Sequence, residues 1–214
     1  MRHPAFRIGI DLGGTKIEAI ALSASGSILA RRRVATPKGN YELTVRAIVD
    51  LVSAIEQELG ASGTVGIGTP GAISPATGLI KNANSTALIG HALDKDLSSA
   101  LDREVRLSND ANCFALSEAV DGAAAGAEIV FGVIIGTGTG GGIAVRGAIL
   151  TGLNGIAGEW GHNPIAWPRP EELPGPQCYC GRQGCLETFL SGPGLSRDFR
   201  DATGEHLEPP EIAY

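Results

Sequence analysis

The sequence predicts an α/β protein made of two α/β domains, residues 1–110 and 111–214, on three observations. Short β-branched runs and one long helical pattern follow one another in the order strand, strand, strand, helix, strand. Two strand–strand connections, Leu12-Gly13-Gly14-Thr15 and Gly136 to Gly142, are glycine- and threonine-rich turns of similar chemistry. The 31 glycines cluster in a few such runs and are not spread as a low-complexity tract, which suggests backbone that ligands approach closely.

In chain order, strands are expected at 6–11, 16–22 and 26–34. Residues 41–59 carry Leu43, Ala47, Ile48, Leu51, Val52, Ile55 and Leu59 at helical spacing, and Gly60 and Gly63 close the helix. A buried strand at 65–69 leads into the Thr69-Pro70-Gly71 turn and the polar run Lys81 to Thr86, where Asn and Ser suit turns as well as hydroxyl ligands. A short helix at 96–101 and a strand at 105–107 precede Ser108-Asn109-Asp110-Ala111-Asn112 and a helix over 113–124. Strands at 129–135 and 143–145 flank the second glycine run, and helical patterns return at 194–202 and from Glu211.

A net charge of −6 with no basic stripe argues against nucleic acid as the main partner. Arg31-Arg32-Arg33 reads as a solvated strand edge. No apolar run is long enough to span a bilayer, and Met1-Arg2-His3-Pro4 leads straight into a strand, so neither a signal peptide nor a membrane partner is expected. Four cysteines fit a reducing cytoplasm, and Cys113, in a helical pattern, is expected to be a small core residue.

Cys178, Cys180 and Cys185 gather in one loop sixteen residues after His162. One imidazole and three thiolates are the ligand set of a closed, structural zinc site, and Gly181 and Gly184 let the loop bend around it. Disulfides, or unrelated buried thiols beside a surface histidine, are the alternative. Glu159 and Glu187 flank this cluster in sequence.

Each glycine turn alone could be a tight hairpin; two of them suggest backbone N–H groups wrapped around phosphate from two sides. The first is no Walker loop and no dinucleotide fingerprint, because a strand follows it. Asp110, at the mouth of a strand and the start of a helix, lies where open α/β sheets bind ligands. Asn109 or Asp110 is equally suited to cap that helix, and a carboxylate in a first turn is expected to keep a low pKa.

Asp11-Leu12-Gly13-Gly14-Thr15-Lys16, Asn109-Asp110-Ala111-Asn112, the Gly136–Gly142 run, Gly158-Glu159-Trp160-Gly161-His162 and Cys178-Tyr179-Cys180-Gly181-x-x-Gly184-Cys185, in this order, resemble the ROK family of sugar kinases. The resemblance runs from Arg7 to about Ser191 and implies an actin/hexokinase-like (ribonuclease H-like) two-domain fold. The run Lys81 to Thr86 and the form Gly-Glu-Trp-Gly-His-Asn-Pro look most like bacterial fructokinases of the mannofructokinase type, with N-acetylglucosamine kinases and glucokinases as competitors. The implied reaction is transfer of the ATP γ-phosphoryl group to a hexose, fructose first, at the 6-position, with Asp110 as general base.

The resemblance further implies sugar contacts from Asn82, Asn109, Asp110, Glu159, His162 and Glu187. It assigns Asp11 to the neighbourhood of Mg²⁺, and Gly13, Gly14, Thr15, Lys16, Gly136, Thr137, Gly138, Thr139, Gly140 and Gly141 to the ATP phosphates. His162, Cys178, Cys180 and Cys185 would hold a structural Zn²⁺, and a cytoplasmic homodimer is the expected state. Family members continue beyond the point matching Tyr214, so the second domain is expected to be incomplete, with apolar surface exposed and base contacts to ATP missing. Family repressors carry a helix-turn-helix segment ahead of the kinase-like part, and a first strand at Phe6 leaves no room for one; a non-catalytic sugar-binding remnant is the other alternative.

Overall fold

The computed structural model describes residues 5–83 and 85–213, so Asn84 of the polar run and the terminal Tyr214 lie outside the described residues. Two compact units result: residues 1–113 with 153–155, and residues 114–152 with 156–214.

The first unit is a five-stranded sheet in the order β3-β2-β1-β4-β7. Its strands are β1 (Arg7–Leu12), β2 (Lys16–Leu22), β3 (Ile28–Ala35), β4 (Thr64–Thr69) and β7 (Val105–Asn109). β1 pairs antiparallel with β2 and parallel with β4, and β4 pairs parallel with β7. Period-2 alternation buries Ile8, Ile10 and Leu12 of β1 and Ile17, Ala19 and Ala21 of β2. Against them pack Ile48, Leu51, Val52 and Ile55 of α1 (Tyr41–Leu59) and Leu93 and Leu97 of α2 (Leu93–Ala100). The Asn40 side chain accepts from the Leu43 N–H to start α1, and Gly60 ends it with φ +64°. β3 is an edge strand; Arg31 and Arg33 both pair with Glu18, holding its carboxyl below the usual range. A small hairpin, β5 (Ala72–Ile73) with β6 (Ile80–Lys81), escaped the sequence pattern because each strand is only two residues long.

An internal ion pair ties α1 to the strands. Arg103 donates from both terminal nitrogens to the two Glu56 oxygens, at 2.6 and 2.8 Å, and to the Gly63 carbonyl at 3.0 Å. The Arg103 guanidinium holds the Glu56 carboxyl below its ordinary value despite burial. Replacing Arg103 with Ala leaves a largely buried carboxylate without its partner, and we expect a loss of about 2 kcal/mol in urea unfolding at pH 7. A depressed folded-state pKa contributes stability above the unfolded value and loses it as pH falls through the folded value, so the gap between wild type and variant should close in acid. A gap that stays constant down to pH 3 would rule out this coupling.

The second unit holds a three-stranded sheet, β10-β9-β8, from β8 (Ile129–Ile135), β9 (Thr139–Val145) and β10 (Ala148–Ile149). β9 begins four residues earlier than the sequence pattern suggests, so Gly140, Gly141 and Gly142 are strand residues paired with Ile134, Val133 and Gly132. The turn proper is only Gly136-Thr137-Gly138. A Cβ at Gly141 would stand 2.8 Å from the Gly132 oxygen and 3.0 Å from that of Gly158, a closeness that bare glycine backbone permits. β8 leaves Ile129, Phe131, Val133 and Ile135 exposed. The helix expected at 113–124 is α3 (Asp110–Val120), whose start at Asp110 follows from capping by Asn109. α2 starts three residues earlier and ends one residue earlier than expected, at 93–100 and not 96–101. The chain continues through α4 (Leu186–Phe189), α5 (Gly192–Thr203) and α6 (Pro209–Ile212).

Candidate active site and metal cluster

In the first unit the candidate residues collect at the carboxyl ends of the parallel strands. Asp11 pairs in register with Gly68, Thr69 pairs with Asn109, and Asp110 follows at once. The Asn109 side chain is fixed twice: its Nδ2 donates to the Gly71 carbonyl at 3.0 Å and its Oδ1 accepts from the Asn112 N–H at 3.2 Å. Asn109 is therefore the cap and leaves Asp110 available. Asp110 Oδ1 accepts from the Ala111 N–H at 2.8 Å. Its pKa is raised and not low as its helix-end position suggested: burial pushes it up most, and the charge of Asp11 adds to this, against the Ala111 hydrogen bond.

Gly71, read from sequence only as part of a turn, joins two site segments. At φ +82° a Cβ there would lie 2.5 Å from the Lys81 carbonyl and 2.9 Å from Ala83 N, so only glycine lets its carbonyl reach Asn109 while its Cα lies against the loop carrying Asn82. Asn82 itself is exposed at φ +55°. Cys113 is exposed and not a core residue; its thiol is pushed up by burial of its sulfur side and by Asp110 and Asp11.

The first glycine turn is closed by the Gly13 N–H on the Lys16 carbonyl at 3.0 Å. Thr36 braces it, with Oγ1 donating to the Gly13 carbonyl at 2.7 Å and its N–H to the Thr15 carbonyl at 3.1 Å. Among the described residues the N–H groups of Gly14 and Thr15 have no partner, and Gly14, Thr15 and Lys16 are exposed. The role of Thr36 was not foreseen, since it lies twenty-three residues from Gly13.

In the second unit His162, Cys178, Cys180 and Cys185 converge, with ligand atoms all within 4.8 Å of one another. His162 Nδ1 stands 3.5 Å from Cys178 Sγ, and Cys180 Sγ stands 3.6 Å from Cys185 Sγ. These are the edges of a tetrahedron with metal–sulfur bonds of about 2.3 Å, whose corners lie about 3.7 Å apart, and they exclude a disulfide at about 2.05 Å. The donor set and the spacing both fit zinc. The His162 Nε2, the nitrogen away from the cluster, lies 3.1 Å from the Tyr179 hydroxyl. Burial pushes the Cys185 thiol up to about 12, while the Arg182 N–H draws Cys180 down. Gly181 and Gly184, at φ +87° and +69°, turn the loop. The loop is then fastened to the helix after it by the Leu186 N–H on Asn163 O and the Glu187 N–H on Gly161 O, both at 2.8 Å.

The same segment meets the second glycine turn. Glu187 Oε2 accepts from the Thr139 N–H at 2.9 Å, the Thr139 hydroxyl donates to the Leu190 carbonyl, and the Gly192 N–H donates to the Gly136 carbonyl at 2.7 Å. Trp160 Nε1 donates to the Gly140 carbonyl at 2.8 Å, and a Cβ on Gly140 would be 3.6 Å from Glu159 Oε2. So Glu187 lies against the turn and the start of β9, Glu159 lies beside Gly140, and His162 follows Gly161, where an added Cβ would meet the Thr139 carbonyl. A cleft of about 910 Å³ opens on the Gly136–Thr137 side of the turn, lined by Ser191, Ser196, Arg197 and Arg200 among others but by none of Glu159, His162 and Glu187.

Comparison with known proteins fits this arrangement. The ROK family profile matches residues 7–214. The N-acetyl-D-glucosamine kinases of Pectobacterium atrosepticum and Haemophilus influenzae are 41% and 43% identical to the chain over 203 and 209 residues, covering 93% and 95% of it. The chain spans 67% and 69% of those two proteins, about two thirds of their length. Among solved structures, the ROK hexokinase of Thermus thermophilus superposes with a TM-score of 0.79 at 36% identity, covering 95% of this chain and 66% of that one. The ROK glucokinase of Streptomyces griseus, solved with glucose and AMPPNP, gives 0.76 at 33% identity, covering 93% and 62%. With its motifs placed as described and that profile matched across nearly all its residues, the chain belongs to the ROK family of sugar kinases.

Proposed function

We propose that the chain transfers the γ-phosphoryl group of ATP to a hydroxyl of N-acetyl-D-glucosamine, with Asp110 as general base. The observation that carries the chemistry is Asp110 itself: a carboxyl at the end of β7, flanked by a fixed Asn109, with a pKa raised by burial. A base whose pKa moves toward the working pH takes a hydroxyl proton more readily than an ordinary carboxylate does. The rest of the task is positioning and charge neutralisation. Asn109, locked by Gly71 and Asn112, keeps a second Nδ2 hydrogen for a sugar hydroxyl. Asn82, Glu159, His162 and Glu187 are assigned to further hydroxyls or to the acetamido group.

The unpartnered N–H groups of Gly14 and Thr15, and those of Thr137 and Gly138, are assigned to the ATP phosphates, with Asp11 on the Mg²⁺ that accompanies them. Gly140 and Gly141, being strand residues, support that turn by close packing and do not wrap the phosphate themselves. Zinc on His162, Cys178, Cys180 and Cys185 would supply loop rigidity, since four protein ligands leave it no open position.

The acceptor rests on the relatives: those at 40–43% identity are named N-acetyl-D-glucosamine kinase, which favours that sugar over the fructose suggested by Lys81 to Thr86 and the Gly-Glu-Trp-Gly-His-Asn-Pro form. A coupled ADP-release assay with Mg-ATP and zinc, offering N-acetylglucosamine, fructose, mannose and glucose separately, tests both parts. We expect the highest kcat/KM with N-acetylglucosamine. A higher value with fructose would overturn the acceptor, and no turnover by folded, zinc-loaded chain with any sugar would overturn the kinase reading.

A further inference from the structure

The geometry points to Glu187 as a positioning residue for the second glycine turn, in addition to any contact with sugar; this rests on the reading of that turn as a phosphate site. Three of the fastenings that fix the turn come from the six residues 187–192, directly after the last cysteine of the metal cluster. The Gly136 N–H closes the turn on the Gly138 carbonyl at 2.8 Å, and the Gly136 carbonyl is taken by the Gly192 N–H. At the other end Glu187 Oε2 takes the Thr139 N–H, and the Thr139 hydroxyl is taken by Leu190. With both ends occupied, Thr137 and Gly138 are left, among the described residues, as the N–H groups free to face an anion.

A carboxylate so near a phosphate site is electrostatically adverse, so its presence calls for a reason. A Cβ on Gly138 would stand 2.5 Å from Glu187 Oε2, which places this oxygen directly against the turn. An acceptor there fixes the orientation of the 138–139 peptide, and with it the carbonyl and N–H directions of the turn. The hydrogen bond needs an acceptor oxygen, not a charge. Glutamine can supply that oxygen; alanine cannot.

The two roles therefore separate by variant. Binding of Mg-AMPPNP by calorimetry, read beside the KM values for ATP and sugar, tests them. We expect Glu187→Ala to raise the AMPPNP Kd and the ATP KM about tenfold, the scale of one lost hydrogen bond to a charged group. Glu187→Gln should leave both at or below the wild-type values, because it keeps the acceptor and removes the repulsion. Amide exchange at Thr139 should be slow in wild type and Glu187→Gln and fast in Glu187→Ala. Gly138→Ala, whose new methyl group displaces the carboxylate, provides a second route should Glu187→Ala fold poorly. It should also expose the Thr139 amide to exchange and weaken AMPPNP, with the double variant no weaker than Gly138→Ala alone.

Unchanged nucleotide binding in both Glu187→Ala and Gly138→Ala, or an equal loss in Glu187→Ala and Glu187→Gln, would overturn the assignment. Wild type that binds no AMPPNP would instead overturn the phosphate reading of the turn, and this inference with it.

Discussion

Asp110→Asn is expected to lower kcat about 10³-fold while leaving sugar and nucleotide affinity within a few-fold, the usual size of a positioned general base. The substitution keeps the local structure, because an amide oxygen can still accept from the Ala111 N–H. It removes only the capacity to take a proton. The same residue should leave a mark on the pH profile: burial and Asp11 raise its pKa, so kcat/KM should fall as pH drops through a value higher than that of a free aspartate, and that limb should vanish in the variant. The stability effect runs the other way. A carboxyl whose folded-state pKa is raised costs stability once pH exceeds its unfolded value, so Asp110→Asn should melt higher than wild type at pH 7 and equally at pH 3. Turnover within threefold of wild type would sink Asp110 as the base.

What the sequence disclosed depended on how local each feature is. The β1–β2 and β8–β9 hairpins, α1 and the cysteine cluster are written in short spacings, and the structure bears out their places. Features made by distant residues were hidden. Gly140 to Gly142 lack side chains that favour strands, so the start of β9 at Thr139 comes from pairing with Gly132 to Ile135 and packing against Gly158. The raised pKa of Asp110 could not be inferred from its place at a helix start, because burial outweighs the N-terminal field there. Nor could the membership of residues 153–155 in the first unit, where the Asn154 carbonyl accepts from Lys81 Nζ and Gly155 lies against Ile73. The Glu187–Thr139 contact spans 48 residues and no pattern announces it.

Cys180→Ser is expected to remove zinc and, with it, sugar affinity. Serine preserves size and backbone but replaces a soft thiolate with a hydroxyl that zinc binds poorly near neutral pH. Cys180 is exposed, so little packing is lost, and any large effect must pass through the metal. The loop carrying Cys178, Cys180 and Cys185 is rich in turns and has few buried apolar residues, so its order depends on the bound metal more than on a core of its own. Glu187 follows Cys185 by two residues, and its N–H is fastened to Gly161, next to His162. Loss of the metal therefore loosens both sides of the proposed sugar contacts at once. We expect zinc content to fall from about one per chain to near zero, the sugar KM to rise more than tenfold, and exchange of the Cys178 and Leu186 amides to quicken, while the β1–β4 amides keep their protection. Cys113→Ser, outside the cluster, should keep its full zinc content and so separates metal loss from the mere loss of a thiol. A zinc-free Cys180→Ser chain that binds sugar as wild type does would show that the metal supports the loop without supporting the site.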